Sequence, residues 1–113
     1  MSFLSSLFGI NTKKNKAITS LNANQFKTAI ATKNVQLLDV RTVSEFKSGH
    51  IKGAKNIDSF SSAFNSEIEK LDKQKAVYVY CKSGVRSKQS AKKLAAVGFT
   101  EIYNLKHGLL SYK

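Results

Sequence analysis

The sequence contains no proline and only one cysteine, Cys81. A single cysteine cannot form an internal disulfide, so no disulfide framework indicates an oxidising compartment. A metal site would have to combine Cys81 with His50, His107 and carboxylates, and no metal-ligand spacing such as C-x-x-C is present. We therefore expect neither a bound metal nor another cofactor. Without proline, the breaks between helices and strands must be made by glycine, asparagine and serine.

Long hydrophobic runs are also missing from the 113 residues. No segment approaches the ~18 apolar residues that a membrane-spanning helix needs, so we expect no membrane span. The N-terminal stretch MSFLSSLFGI does not have the order of a secretory signal, because its basic residues follow the apolar ones and no small-residue cleavage site is evident. The sequence therefore favours a cytoplasmic protein. Its length and its 42% hydrophobic content are typical of a single soluble globular domain.

Acidic residues are scarce: seven stand against 17 lysines and two arginines, which gives a net charge of +12. This excess of positive charge favours anionic partners in general. The lysines are spread over the whole chain rather than gathered with aromatic residues, a pattern that does not favour nucleic acid as the partner. Nothing in the sequence indicates the oligomeric state.

The first 16 residues differ from the rest of the chain. Their large apolar residues fall on one face at helical spacing and are followed by a polar run with three lysines: Phe3, Leu4, Leu7 and Phe8, then Lys13, Lys14 and Lys16. This pattern predicts an amphipathic arm with a basic linker at residues 1–16 and a domain at residues 17–113. Three alternatives stay open for the arm: packing on the domain surface, fraying, or docking on a membrane surface or partner.

Strand-like and helix-like segments alternate through the domain. Short β-prone apolar runs predict strands at residues 17–19, 35–40, 54–57, 76–80 and 100–105. Capping-box patterns at Asn22 with Gln25, and at Thr42 with Glu45, predict the start of two helices. Apolar residues at helical spacing predict two more, over residues 60–71 and after Gly84. The alternation predicts an α/β fold, a parallel five-stranded sheet with helices on both faces.

Cys81 directly follows the clearest predicted strand, where a loop leads into a helix. In open α/β sheets this is the place where ligands bind. Gly84 lets the loop curl so that several N–H groups converge, and these donors, the helix N-terminus, Lys82 and Arg86 all favour a thiolate. We therefore predict a lowered pKa and a nucleophilic role for Cys81. The alternative is that Cys81 is simply a small buried residue at the end of a strand.

Several motifs in the chain, taken in order, resemble the rhodanese family. They are Leu38-Asp39-Val40-Arg41, Glu45-Phe46, Gly49-His50-Ile51-Lys52-Gly53-Ala54, Asn56-Ile57, Tyr80-Cys81-Lys82-Ser83-Gly84-Val85-Arg86-Ser87, Gly98-Phe99 and Leu105-Lys106-His107-Gly108. The similarity covers roughly residues 17–112. The combination of the D-V-R, G-H-I-x-G-A and C-x-S-G-x-R-S elements makes it specific.

The resemblance implies a single rhodanese-like domain in which Cys81 forms a persulfide. The same resemblance implies that the loop after it cradles the substrate, with substrate-binding residues Lys82, Ser83, Gly84, Val85 and Arg86. Asp39, Arg41 and Ser87 would support the site from beneath, with Arg41 pairing with Glu45. The implied activity is transfer of sulfane sulfur from an anionic donor, such as thiosulfate or a persulfide, to a thiol or a cyanide-like acceptor. A sulfur-relay protein is a further candidate partner.

The sequence departs from the family pattern near its C-terminus and in the middle of the chain. His107 stands where the family often has a glycine, Tyr112 where it often has tryptophan, and Asp58 where proline often follows Asn-Ile. His107 is therefore expected either on the surface or at the border of the pocket. His50 is expected to make a structural hydrogen bond.

Two other functions compete with sulfur transfer. Four residues separate Cys81 from Arg86, whereas the dual-specificity phosphatases that share the fold have five, which gives their loop a wider cradle for a phosphate ester. A non-catalytic rhodanese-like binding module is the second alternative. Such modules often have another residue in place of the cysteine, which is present here.

Overall fold

The computed structural model describes residues 16–32 and 35–112, in which strands and helices alternate as predicted. The strands are β1 (Ile18–Leu21), β2 (Gln36–Asp39), β3 (Lys55–Asn56), β4 (Val77–Tyr80) and β5 (Ile102–Leu105). The α-helices are α1 (Ala23–Ile30), α2 (Val43–Lys47), α3 (Phe64–Ile68) and α4 (Val85–Ala96), and a 3₁₀ helix follows at Gly108–Ser111.

The five strands form one sheet in the order β1-β5-β4-β2-β3, and every neighbouring pair is parallel. This confirms the predicted α/β fold with a five-stranded parallel sheet. β4 is the central strand, with Val79 opposite Leu38 of β2 and Asn104 of β5. Because all strands run the same way, their carboxyl ends lie along one edge, and Cys81 follows the middle of that edge.

Apolar side chains pack on both faces of the sheet, because successive residues of a strand point to opposite sides. One face is covered by α3 and α4 through a buried cluster that includes Phe64, Ile68, Ala91 and Leu94, together with Cys81. Across the sheet, a second buried cluster consists of Phe26 from α1, with Leu37, Tyr80 and Leu105. Each large side chain buried in this way stabilises the fold by roughly 1.5–3 kcal/mol.

The two predicted capping boxes are both present. Asn22 Oδ1 accepts from the amide of Gln25 at 2.9 Å, and Thr42 Oγ1 accepts from the amide of Glu45 at 3.2 Å. In each box the side chain of the later residue accepts from the backbone N–H of the first. Both helices therefore begin where the sequence predicts.

The helix predicted over residues 60–71 is much shorter in the structure, where α3 spans Phe64–Ile68. Two side chains hold the preceding backbone in turns: Asp58 Oδ1 accepts from the amide of Phe60 at 2.8 Å, and Ser61 Oγ accepts from that of Ala63 at 3.0 Å. Such local bonds compete with a helix. Phe60 is consequently left exposed, although its spacing placed it on the buried face.

The predicted amphipathic arm lies outside the described residues, apart from Lys16 at its end. Among the helices of residues 16–32 and 35–112, none has the length and the apolar composition of a membrane span.

Candidate active site

The Cys81 sulfur lies at the centre of the loop that joins β4 to α4. Its Sγ accepts hydrogen bonds from the backbone amides of Gly84 at 3.1 Å and Ser87 at 3.3 Å. Gly84 adopts φ +99°, a left-handed conformation that turns its amide towards the sulfur. Cys81 itself is buried, so the loop amides take the place of water around the sulfur.

The electrostatic balance at Cys81 favours the thiolate. Burial alone would raise the pKa of the Cys81 thiol. Hydrogen bonds from the Ser87 side chain and from the amides of Ser87, Gly84 and Ser83 outweigh burial, so the pKa is lowered, as the sequence predicts. A buried cysteine without these donors would stay protonated near neutral pH, so this site differs from that of a purely structural cysteine.

The C-terminal 3₁₀ helix holds the loop from behind. The amide of Leu109 donates to the Cys81 carbonyl at 3.0 Å, and that of Leu110 donates to the Lys82 carbonyl at 3.0 Å. A Cβ atom on Gly108 would overlap these two carbonyl groups, and Gly108 also adopts φ +57°. The backbone approaches this closely only with glycine. The sequence alone indicates no such role for Gly108, although the residue ends the C-terminal family motif.

Arg86 forms a bidentate ion pair with Glu45. Its two terminal nitrogens lie 2.8 and 3.0 Å from the two Glu45 carboxylate oxygens, and its guanidinium lies 5.5 Å from the centre of the Phe60 ring. The hydrogen bond from Arg86 lowers the pKa of Glu45 to about 2. The expected pairing of Arg41 with Glu45 is therefore wrong. Arg86 connects α4 to α2 through a residue 41 positions away in sequence. The residue pattern within a single helix cannot reveal such a pair.

Arg41 pairs instead with Asp39, two residues before it. Its side chain lies 2.8 Å from Asp39 Oδ2 and donates to the Gly49 carbonyl at 2.6 Å. Asn56 Nδ2 donates to the Arg41 carbonyl at 2.9 Å. The hydrogen bond to Asp39 also raises the pKa of Arg41. Asp39 and Arg41 thus join the end of β2 to the neighbouring loops, and neither has a hydrogen bond to Cys81 within the described residues.

The remaining predicted site residues lie around the loop. Lys82, Ser83 and Val85 surround it near the surface, whereas Ser87 is buried and its Oγ lies 3.3 Å from the Gly84 carbonyl oxygen. These positions agree with a cradle made mainly by backbone amides. Whether the side chains of residues 82, 83 and 85 bind a substrate stays a prediction.

The two histidines have different surroundings. His50 stacks on Phe46, and its Nδ1 lies 2.8 Å from the Phe46 carbonyl, in agreement with the expected structural hydrogen bond. His107 is exposed and adopts φ 63°, the left-handed conformation that a glycine would take without strain. It lines a cleft of about 450 Å³ beside α4, together with residues 83–85 and Asn104. Cys81 is not among the residues that line this cleft.

No group of three or more potential metal ligands occurs among the described residues. The described residues offer, at the end of β4, a cysteine sulfur with a lowered pKa and the donors around it.

Comparison with known proteins places this geometry in a family. The family model of the rhodanese-like domain matches residues 22–113. A rhodanese-like domain protein from Staphylococcus aureus has a similar crystal structure, with a TM-score of 0.74 and 28% sequence identity, over 84% of this chain and 91% of that one.

Three curated relatives differ in how much of their length this chain spans. An uncharacterised Bacillus subtilis protein, YqhL, is 45% identical over 76 residues, which are 67% of this chain and 59% of that protein. Thiosulfate sulfurtransferase GlpE of Shewanella oneidensis is 32% identical over 92 residues, 81% of this chain and 89% of that enzyme. A tRNA uridine(34) hydroxylase of Acinetobacter baumannii (strain AYE) is 33% identical over 97 residues, 81% of this chain but 31% of the enzyme. The family match covers residues 22–113, and the fold and the Cys81 loop agree with it. This chain therefore belongs to the rhodanese family.

Proposed function

We propose that the protein is a sulfurtransferase in which Cys81 accepts a sulfane sulfur as a persulfide and passes it to a thiophilic acceptor. The observation that supports this most strongly is the Cys81 Sγ with its lowered pKa, held by the amides of Gly84 and Ser87. Donors converging on one sulfur stabilise a thiolate before the reaction and a negatively charged terminal sulfur after it.

With thiosulfate as donor, the Cys81 thiolate attacks the outer, sulfane sulfur. A new S–S bond forms to Cys81, the S–S bond of thiosulfate breaks, and sulfite leaves with the electron pair. The enzyme is left as a persulfide. Cyanide then attacks the terminal sulfur, thiocyanate leaves, and the Cys81 thiolate is regenerated. The cycle needs no external oxidant, because each nucleophile reacts as an anion and each step exchanges one bond to sulfur for another.

The donor class follows from charge. The net charge of +12 and the exposed Lys82 beside Cys81 favour an anionic small molecule, or the persulfide of a sulfur-relay protein, over a neutral donor. A thiol is the corresponding physiological acceptor class. We place the activity in the cytoplasm, where the reducing environment keeps a lone thiol available.

Two alternatives are less well supported by the site. A phosphatase needs room for a phosphate ester, whereas here the Gly84 and Ser87 amides already approach Sγ within 3.3 Å and Arg86 is engaged by Glu45. A binding module without activity would not need donors that favour a thiolate.

Steady-state turnover tests the proposal. Thiosulfate and cyanide should give thiocyanate with the natural chain, and Cys81→Ser should give none while keeping the same circular dichroism and melting temperature. Para-nitrophenyl phosphate should not be hydrolysed. Phosphate release without thiocyanate would support the phosphatase, and the absence of both products with all donors tried would support the binding module.

A further inference from the structure

Three exposed apolar side chains lie around the loop between β4 and α4. Val85 is the first residue of α4, directly after this loop. The centre of the Phe60 ring lies 5.5 Å from the Arg86 guanidinium, and the amide of Leu110 donates to the Lys82 carbonyl at 3.0 Å. The side chains of Phe60, Val85 and Leu110 are 71%, 61% and 62% exposed. We call these three side chains the apolar rim.

One other large apolar residue is exposed in the described part of the chain, Val43 on α2. It stands two positions before Glu45, and side chains two positions apart on a helix do not face the same way. Because the Glu45 carboxylate is directed at Arg86, Val43 lies outside the apolar rim. A single exposed apolar residue is common, whereas three around one reactive loop indicate an interaction site.

Positive charge surrounds the apolar rim. Lys82 is exposed beside Leu110, and Lys88 is exposed on α4 three positions after Val85, where helix side chains are neighbours. Neither lysine forms an ion pair with a residue in the ranges 16–32 and 35–112. An apolar centre flanked by free ammonium groups is complementary to apolar side chains flanked by carboxylates.

Two acidic side chains also lie near the apolar rim, and both have partners. Arg86 pairs with both carboxylate oxygens of Glu45. Asp58 Oδ1 accepts from the amide of Phe60 at 2.8 Å. The free charge at this surface is therefore mainly that of the lysines.

We propose that the sulfur acceptor is the cysteine of a partner protein, which docks on the apolar rim through apolar side chains flanked by carboxylates. This inference rests on the proposed sulfur transfer from Cys81. A small thiol needs only the loop and the terminal sulfur, whereas the apolar rim extends the contact to a larger acceptor. A lipid bilayer has no thiol to accept sulfur, and a second copy of this chain carries the same charge of +12, so both fit less well.

The transfer step needs no oxidant. The partner thiol loses its proton to water, and its thiolate attacks the terminal sulfur of the Cys81 persulfide. An S–S bond forms on the partner cysteine, the S–S bond at Cys81 breaks, and Cys81 leaves as a thiolate. The partner then holds the persulfide.

Two synthetic peptides serve as probes for the full chain loaded with sulfur from thiosulfate. Both have one cysteine between leucine and phenylalanine, with glutamates at the two ends of the acidic peptide and lysines at the ends of the basic one. Mass spectrometry follows the rate of sulfur transfer as the peptide concentration rises. The acidic peptide should half-saturate the rate at a concentration at least about tenfold below that of the basic peptide or of N-acetylcysteine.

Variants test the apolar rim and its charge separately. Leu110→Ser and Phe60→Ser should each raise the half-saturating concentration of the acidic peptide at least about fivefold, and Val43→Ser is the matched control that should not. Leu110→Ser should keep the natural rates with cyanide and N-acetylcysteine. Lys88→Glu should weaken the acidic peptide at low salt, whereas Lys75→Glu, exposed before β4 at the opposite edge of the sheet, should not.

An acidic peptide with serine in place of cysteine measures docking without sulfur transfer. In ¹H–¹⁵N NMR of Cys81→Ser, it should shift the backbone signals of Phe60, Val85 and Leu110 and leave that of Lys75 unmoved. Docking of this peptide to a chain that never loads sulfur would refute the proposed sulfur transfer. Sulfur loading without docking would refute the partner surface alone.

Equal half-saturating concentrations for the two peptides and N-acetylcysteine would overturn the proposal. The same holds if Leu110→Ser slows transfer to N-acetylcysteine as much as transfer to the acidic peptide. Shifts of the rim signals with phosphatidylglycerol vesicles but not with the peptide would replace the partner with a membrane surface. Shifts on raising the concentration of the chain alone, or on deleting residues 1–15, would assign the apolar rim to a second copy or to the arm.

Discussion

Cys81 combines complete burial with a lowered pKa, two properties that normally oppose each other. The hydrogen bonds from Ser87 and from the loop amides resolve the conflict, since they replace the water that a thiolate loses on burial. Amide donors depend on backbone shape, whereas the Ser87 hydroxyl is a donor that a single substitution removes. Ser87 therefore gives the sharpest test at the scale of one residue.

Ser87→Ala should slow alkylation of Cys81 by iodoacetamide at pH 7 by about tenfold. The reason is that a hydrogen bond to a charged group contributes about 1.5–3 kcal/mol, so the thiolate fraction falls when the hydroxyl is lost. The pH profile of the rate should move to higher pH. Ser90→Ala is the matched control, because Ser90 is also buried on α4 but has no hydrogen bond to the Cys81 sulfur among the described contacts. Equal rates for Ser87→Ala and the natural chain would show that the amides alone hold the thiolate.

Two contacts hold the loop between β4 and α4. The 3₁₀ helix packs behind this loop, and the ion pair between α2 and α4 lies beside it. The first contact is a close backbone approach at Gly108, and the second is the Glu45–Arg86 pair. Both connect parts of the chain that are distant in sequence. Each predicts a different effect when it is broken.

Gly108→Ala should destabilise the fold by more than about 2 kcal/mol and also slow Cys81 alkylation, because the added Cβ pushes against the Cys81 and Lys82 carbonyl groups. Gly53→Ala is the matched control: Gly53 also has a positive φ, but a Cβ added there would have nothing within 4 Å. Gly53→Ala should lower the free energy of unfolding by only about 1–2 kcal/mol, through backbone strain, and should keep the natural alkylation rate. Urea unfolding and the alkylation rate check both. Equal losses of unfolding free energy in the two variants would mean that Gly108 is needed only for its positive φ. The close contact with the Cys81 and Lys82 carbonyl groups would then have no effect of its own.

Glu45→Gln should lower the free energy of unfolding by about 1–2 kcal/mol at pH 7, because it breaks a partly buried bidentate pair. The pKa of Glu45 is depressed from 4.5 to about 2, so its contribution is present above pH 4.5 and is lost as the pH falls towards about 2. The stability difference between the two proteins should shrink over that window. Glu67→Gln breaks the exposed pair with Lys70 and should lower the free energy of unfolding by less than about 1 kcal/mol. A difference for Glu45→Gln that stays constant from pH 7 to pH 2 would contradict this assignment.

Local patterns explain which of these elements the sequence predicts correctly. The capping boxes at Asn22 and Thr42 are complete within four residues, so both helix starts follow from sequence alone. The Arg86–Glu45 pair joins residues 41 positions apart, whereas Arg41 is much nearer to Glu45 in sequence and only the fold brings Arg86 to α2. The role of Gly108 is not predictable for the same reason, since it depends on the packing of distant segments.

At the scale of the whole molecule, the parallel sheet places one reactive sulfur at the middle of its carboxyl edge, in a chain of strong positive charge. The alternation of apolar strands and helices is enough to predict this architecture, because parallel strands require helical crossovers. The exact strand ends are not predictable. The strand expected over residues 54–57 is reduced to the two residues of β3, whose only neighbour among the described strands is β2.

Residues 1–15 precede β1 and lie outside the family match at residues 22–113. Deleting them should leave the reaction of Cys81 with its donor intact, because the described donors to Sγ all come from residues 83–87. Thiocyanate production by the truncated and full chains should agree within about twofold. A large loss of turnover in a truncation that keeps the natural melting temperature would assign the arm a part in the reaction.

In the proposed reaction Cys81 accepts and releases one sulfur atom, and intact-mass spectrometry measures both steps directly. After incubation with thiosulfate and removal of excess donor, the natural chain should gain the mass of a single sulfur atom. Cyanide should then return the mass to its starting value and release an equal amount of thiocyanate. Cys81→Ser should show neither change. A natural chain that is folded and fully reduced, yet gains no sulfur from thiosulfate or from a persulfide donor, would contradict a Cys81 persulfide.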